Sequence, residues 1–127
     1  MTNRKPTVLV IDDDATTRRV VTAGLAMAGI PAYVAGSAEE ASNLLAEKSV
    51  DLILTDLMMP RFNGVELIQA VREAPHTKHL PVIVLTSGGN LDLIAQATAA
   101  GANEVHQKHS TPPAKLVERI LALAGGK

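Results

Sequence analysis

Short apolar runs recur along the chain and predict strands that are buried on both faces. The clear runs cover residues 7–11, 32–35, 52–55 and 81–85, and a weaker one covers residues 104–107. In the strongest runs valine, isoleucine and leucine follow one another without the polar alternation of a strand that has one face in water. The pattern therefore favours a sheet that is covered on both sides.

Each predicted strand is followed by a stretch with the residue spacing of a helix. The first helix ends at Gly29, and the second opens on a capping box at residues 37–40 and runs to about residue 47. The third, built on residues 65–71, follows a loop between Pro60 and Gly64, and the fourth is built on residues 91–95. Thr111 is the predicted N-cap of the last helix, with proline in its first position.

Five strands that alternate with five helices predict an α/β fold with a parallel, doubly wound sheet. In such a sheet the functional crevice lies beyond the carboxyl ends of the strands. The residues that follow each strand are therefore the first candidates for chemistry.

Composition narrows the possible functions. The chain has 127 residues, no cysteine and a formal net charge of −1 from 12 basic and 13 acidic residues. We expect one domain over residues 1–127 with its core at about 6–124, and no output domain. The absence of cysteine excludes thiolate metal sites, and the balanced charge argues against nucleic acid or membrane partners. With no long apolar run or leader, we expect a soluble cytoplasmic protein.

Polar side chains follow the carboxyl ends of four predicted strands. They are Asp12, Asp13 and Asp14 after the first strand, Asp56 after the third, Thr86 and Ser87 after the fourth, and Lys108 after the fifth. We assign Asp14 to the N-cap of the first helix.

Crowded carboxylates must protonate or bind a cation, and oxygen ligands alone favour Mg²⁺. A carboxylate can also attack a reactive phosphoramidate while a lysine and a hydroxyl hold the phosphoryl oxygens. The resulting mixed anhydride hydrolyses, which is typical of a switch.

These residues resemble a response-regulator receiver domain over about residues 6–124. The resemblance rests on Val10-Ile11-Asp12-Asp13-Asp14, on Asp56-Leu57-Met58-Met59-Pro60 with Gly64, on Thr86-Ser87 and on Lys108. It implies the flavodoxin-like (βα)5 fold with strand order 2-1-3-4-5.

The resemblance also implies a role for each matching residue. Asp56 accepts a phosphoryl group from a phosphohistidine of a sensor histidine kinase or phosphotransfer protein. Asp12, Asp13, Asp56 and the Met58 carbonyl hold Mg²⁺. Lys108, the Thr86 hydroxyl and the backbone at Met58 and Ser87 bind the phosphoryl group.

The output implied by the resemblance is a change of surface. The face formed by the fourth helix, fifth strand and fifth helix then binds a partner protein, or the phosphoryl group is passed on. We expect a monomer or transient dimer that catalyses only its own phosphorylation and slow dephosphorylation.

Two positions depart from the pattern of the family that the chain resembles. Val105 stands where the family usually has an aromatic residue, so the coupling of the threonine to that aromatic is in question. His109 follows Lys108 where the family usually has proline, often with a cis bond, and we predict a trans bond because a cis bond before a non-proline residue costs about 2.5–4 kcal/mol.

Other polar residues receive simpler interpretations. Arg18 and Arg19, with Thr16 and Thr17, could face a docking kinase, but for either arginine alone we favour a solvated helix face. The pairs His76/His79 and His106/His109 lie in predicted loop or strand, where their spacing does not favour a metal site. Met58 is expected to slow dephosphorylation by excluding water.

Two alternatives remain open at this stage. In a haloacid-dehalogenase-like phosphatase, Asp12 would be the nucleophile and Asp14 the acid/base, but the further acidic motif and a role for residues 56–60 are missing. In a receiver-like adaptor that is never phosphorylated, Val105 and His109 would be natural departures.

Overall fold

The computed structural model describes residues 5–59, 62–88 and 91–125 and contains a five-stranded parallel sheet. We number its strands β1 (Val8–Ile11), β2 (Ala32–Ala35), β3 (Leu52–Thr55), β4 (Val82–Thr86) and β5 (Glu104–Gln107). Their spatial order is β2-β1-β3-β4-β5, which confirms the predicted fold class and strand order. Val8 lies opposite both Ala32 and Leu52, so β1, β2 and β3 start and end level with one another.

Five helices cover the sheet. They are α1 (Ala15–Met27), α2 (Ala38–Glu47), α3 (Gly64–Glu73), α4 (Leu91–Ala100) and α5 (Pro113–Ala124), and a 3₁₀ turn (Lys108–Ser110) joins β5 to α5. Within the described ranges no helix is long and apolar enough to cross a membrane.

Alternate residues of the strands enter two separate cores. Leu9, Ile11 and Ile53 pack on one face of the sheet with Ile68 of α3 and Ala97 of α4. On the other face, strand residues that include Val8, Val10 and Leu54 pack with α1 and α5. Every residue of β1, β3 and β4 is buried, so these three strands form a closely packed support for the residues that follow their carboxyl ends.

Some details differ from the sequence prediction. The strand predicted at 81–85 is shifted by one residue and ends at Thr86. Pro112, and not Thr111, is the N-cap of α5, because a residue that precedes a proline is pushed out of the helical region and Pro113 begins the helix. In the expected loop after Asp56, the pair Met58–Met59 forms a short antiparallel hairpin with Phe62–Asn63, while Pro60 and Arg61 lie outside the described residues.

Candidate functional site

Two neighbouring strands place Asp12 and Asp56 side by side at the carboxyl edge of the sheet. The Asp12 N–H donates to the Ala35 carbonyl at 3.1 Å, and the Asp56 N–H donates to the Ile11 carbonyl at 3.0 Å. The parallel hydrogen bonding therefore continues one residue beyond β1 and β3. Both aspartates are buried, with 2% and 6% of their surface exposed.

Lys108 joins the two aspartates. Its Nζ lies 2.7 Å from Asp12 Oδ2 and 3.3 Å from Asp56 Oδ2. Burial acts to lower the pKa of Lys108, but the hydrogen bond to Asp12 and the charges of both aspartates outweigh it, so the pKa is raised. The ammonium group is thus held charged between the two carboxylates.

Burial raises the pKa of Asp56, and the charge of Asp12 raises it further, against the opposing effect of Lys108. The Asp56 carboxylate has a second fixed contact, because Oδ1 accepts the Leu57 N–H at 2.7 Å. The Asp56 side chain is therefore poorly solvated and oriented from two sides.

Asp12, Asp13 and Asp56 form a cluster of oxygen donors, and each offers one oxygen within 4.8 Å of the others. Among the described residues this is the one group of three or more acidic or histidine side chains with metal-ligand spacing. Oxygens of an octahedral shell at about 2.1 Å stand about 2.9–4.2 Å apart, so small adjustments bring the three carboxylates to the spacing that Mg²⁺ requires. The donor set fits this ion.

Thr86 and Ser87 lie at the end of β4, beside β3. Thr86 is buried, and its Oγ1 accepts the Gly88 N–H at 3.4 Å, whereas Ser87 is exposed. Met58 is 59% exposed, two residues after Asp56. All three lie at the carboxyl ends of neighbouring strands, and their roles in binding a phosphoryl group stay predictions.

Gly64 allows the chain after Asp56 to turn closely over the site. A Cβ at this position would lie 2.4 Å from the Asp56 carbonyl oxygen and 3.0 Å from Leu57 Cα. The Gly64 N–H also donates to the Leu57 carbonyl at 2.7 Å. A side chain here would displace the backbone of Asp56 itself.

Asp14 is an N-cap, as predicted. Its carboxylate accepts the Thr16 and Thr17 N–H groups at 3.4 and 3.2 Å and the Thr17 hydroxyl at 2.6 Å. The Thr17 hydroxyl is the main cause of the lowered pKa of Asp14. A carboxylate occupied in this way is unsuited to the acid/base role that the phosphatase alternative requires.

Arg18 corrects the prediction of a solvated arginine pair. Its Nη1 donates to the Asp12 carbonyl at 2.7 Å and the residue is half-buried, while Arg19 is exposed. Sequence reasoning also missed the Leu57 N–H as a partner of Asp56. Nothing in the sequence indicates which carbonyl Arg18 reaches or which amide Asp56 accepts.

The two departures from the family pattern have local structures. The peptide bond between Lys108 and His109 is trans, as predicted, and begins the 3₁₀ turn. Val105 is half-buried and packs on the core beneath α4. Lys108 contacts both aspartates with these two residues in place. His106 bonds to Glu104 at 2.8 Å, outside the acidic cluster.

The fold and the acidic site together define a class of protein. The family model of the response regulator receiver domain matches residues 8–121, and the chain belongs to this family. The resemblance found in the motifs is thereby confirmed. Receiver domains are signalling phosphoacceptors, generally not classical enzymes, and bind Mg²⁺ in an acidic pocket. This membership further disfavours the phosphatase alternative.

Individual relatives come from several signalling systems. The chain is 34% identical over 105 residues to a probable chemotaxis protein CheY of Rhizobium etli, covering 82% of this chain and 81% of that protein. It is 32% identical over 117 residues to the phosphate regulon transcriptional regulatory protein PhoB of Pseudomonas aeruginosa, covering 92% of this chain. The chain spans about half of PhoB, 51% of its length.

Solved structures agree with this assignment. A putative response regulator from Chloroflexus aurantiacus superposes with a TM-score of 0.87 at 32% identity, covering 94% of this chain and 98% of that one. Chemotaxis response regulator CheY4 of Vibrio cholerae gives a TM-score of 0.85 at 27% identity, with 94% and 99% covered.

Proposed function

We propose that this receiver domain is a phosphorylation-dependent switch in which Asp56 accepts a phosphoryl group. The observation that carries the proposal is Lys108, which lies 2.7 Å from Asp12 and 3.3 Å from Asp56 within a cluster of three carboxylates. An ammonium group in this position neutralises charge where a phosphoryl group would arrive.

The donor in this proposal is a phosphohistidine of a sensor histidine kinase or phosphotransfer protein. An Asp56 oxygen attacks the phosphorus, an O–P bond forms, the N–P bond breaks, and the leaving imidazole takes up a proton. Asp12, Asp13, Asp56 and the Met58 carbonyl would hold Mg²⁺, which would supply positive charge to neutralise the phosphoryl oxygens. Lys108, the Thr86 hydroxyl and the backbone at Met58 and Ser87 bind the same oxygens.

Hydrolysis ends the phosphorylated state. Water attacks the phosphorus of the Asp56 mixed anhydride, the O–P bond to Asp56 breaks, and inorganic phosphate leaves with the carboxylate restored. The lifetime of the modification sets how long the altered α4–β5–α5 surface is presented to a partner protein. We propose that residues 1–127 act in this way as a single receiver domain.

The test is an intact-mass measurement after incubation with acetyl phosphate. Wild type and Asp56→Ala are compared with Mg²⁺ and with chelator, and we expect one phosphoryl mass that requires both Mg²⁺ and Asp56. If neither acetyl phosphate nor a cognate histidine kinase loads the folded protein, the proposal fails and the adaptor alternative, motivated by Val105 and His109, replaces it.

A further inference from the structure

We propose that Arg18 is a positioning residue for the Mg²⁺ ligands Asp12 and Asp13, an inference that rests on the proposed function. Its guanidinium acts through the backbone of the turn that carries these carboxylates. Helix α1 contacts the end of β1 through this side chain. Helical side chains lean toward the N-terminus of their helix, and Arg18 reaches back past the cap to donate from Nη1 to the Asp12 carbonyl at 2.7 Å.

The turn between β1 and α1 is held at three points. Besides the Arg18 contact, the Asp14 N–H donates a hydrogen bond to Asp12 Oδ1 at 2.9 Å. The Asp12 N–H donates to the Ala35 carbonyl and so extends the pairing of β1 with β2. The Asp12 carbonyl belongs to the peptide that leads into Asp13. Fixing that carbonyl therefore fixes the direction in which the exposed Asp13 leaves the backbone.

The guanidinium lies close to the turn that follows β2. A Cβ at Gly36 would lie 3.1 Å from Arg18 Nη1 and 3.4 Å from Glu40 Oε1. Glu40 Oε1 accepts the Gly36 N–H at 2.6 Å, so a carboxylate and the guanidinium both lie near this glycine. The absence of a side chain at Gly36 leaves room for the planar guanidinium, and the nearby carboxylate favours its positive charge.

This arrangement has a consequence for ion binding. Three carboxylates within 4.8 Å repel one another, and the exposed Asp13 is the one most able to turn away. A turn fixed by Arg18 keeps Asp13 close to Asp12 and Asp56 before the ion arrives, so less ordering remains to be done on binding. Outer groups that orient metal ligands typically change metal affinity by about 10–100-fold when removed.

The experiment is calorimetric titration of the full chain with MgCl₂, alongside thermal melts without Mg²⁺. We expect Arg18→Met to weaken Mg²⁺ binding by about tenfold. Arg18→Lys keeps one donor and should restore part of the affinity. The matched control is Arg19→Met, which removes the exposed neighbour and should leave the affinity within about twofold of wild type.

Gly36→Ala provides a second variant, because the added methyl group would lie 3.1 Å from Arg18 Nη1 and requires the guanidinium to shift by a few tenths of an ångström without removing it. We expect it to weaken Mg²⁺ binding as well, and it keeps the test decisive if Arg18→Met fails to fold. Mg²⁺ affinities within about twofold of wild type for both variants would overturn the inference, even if thermal stability falls, and would leave Arg18 a helix-stabilising residue. If wild type binds no Mg²⁺, the proposed function fails together with this inference.

Discussion

The three carboxylates of the acidic cluster differ in how firmly each is held. One oxygen of Asp12 accepts the Asp14 N–H and the other pairs with Lys108. One oxygen of Asp56 likewise accepts the Leu57 N–H, and the other pairs with Lys108. Asp13 stands in solvent beside them. Two carboxylates are therefore oriented in advance, and the third depends on the backbone that carries it.

Met58 gives a prediction at the scale of one residue. Its side chain is 59% exposed two residues after Asp56, where an apolar group can hinder the approach of water to a phosphoryl group. We expect Met58→Asn to shorten the lifetime of phosphorylated Asp56 severalfold. The lifetime is measured as loss of the phosphoryl mass with time after removal of the donor.

Met27→Asn is the matched control for this measurement, since Met27 is 91% exposed at the far end of α1. It should leave the decay of the phosphorylated form unchanged. Equal lifetimes for wild type and Met58→Asn would show that Met58 does not protect the mixed anhydride.

At the scale of elements, Arg72 ties the end of α3 to two loops. Its guanidinium donates to the carbonyls of Lys78, Leu80 and Gly101 at 2.7–2.8 Å, and to Asn103 Oδ1 at 3.1 Å. We expect Arg72→Met to cost about 1–3 kcal/mol of unfolding free energy, because the partly buried carbonyls of Leu80 and Gly101 lose a charged donor. Arg72→Lys should recover little of it, since an ammonium cannot span four acceptors.

Urea unfolding measures this prediction directly. Gly101→Ala is a useful companion variant, because Gly101 has φ +121° and its Cβ would lie 2.7 Å from Arg72 Nε. It should destabilise the fold for both reasons. An unfolding midpoint for Arg72→Met equal to that of wild type would refute the role of Arg72.

The pair Glu104–Arg119 links β5 to α5 and gives a pH dependence. Hydrogen bonds from Arg119 lower the pKa of Glu104 from 4.5 to about 2. A depressed carboxyl pKa contributes stability above the unfolded value of 4.5, and the contribution is lost as pH falls through about 2. Because Arg119 is partly solvated, we expect Glu104→Gln to cost only about 1–2 kcal/mol at neutral pH.

The measurement is the unfolding free energy of wild type and Glu104→Gln between neutral pH and about pH 3. By about pH 3 the difference between the two should have fallen by roughly half. Glu118→Gln breaks the exposed pair with Lys115 and serves as the control, with an effect below about 0.5 kcal/mol. A difference that is constant across this pH range would contradict the ion-pair origin of the stability.

The elements that are marked by a local sequence pattern, such as an apolar run or an N-cap residue, were predictable from the sequence. The apolar runs gave β1, β2 and β3 with an error of no more than one residue, and Asp14 and Ser37 cap their helices as expected. The hairpin after Asp56 was not predictable, since two-residue strands have no period to detect. Arg18 was misjudged because the direction of a side chain depends on what the neighbouring strand end offers.

At the scale of the whole molecule, the acidic site works against the stability of the fold. Without bound Mg²⁺, burial and the charge of Asp12 disfavour the ionised form of Asp56 and raise its pKa. A raised carboxyl pKa means that ionisation of Asp56 costs folding free energy. Stability therefore falls as pH rises from the unfolded pKa of 3.8 through the raised folded pKa, and the loss is complete above it. The cluster needed for phosphoryl chemistry is thus a cost to the metal-free protein at neutral pH.

We therefore expect Asp56→Asn to raise the melting temperature of the metal-free protein by roughly 3–6 °C, equivalent to about 1 kcal/mol. The amide oxygen of Asn can keep only one of the hydrogen bonds from Leu57 and Lys108, because these go to different oxygens of Asp56, but the repulsion from Asp12 disappears. Mg²⁺ should then raise the melting temperature of wild type more than that of the variant, because one ligand charge is gone.

Asp92→Asn separates this effect from a general loss of negative charge. Asp92 is exposed in the first turn of α4, where a carboxylate favours the helix, so its removal should leave the melting temperature unchanged or slightly lower. A melting temperature of Asp56→Asn at or below that of wild type, measured without Mg²⁺, would mean that Lys108 already compensates the buried charge of Asp56. The conflict between stability and phosphoryl chemistry would then be confined to Asp12 and Asp13.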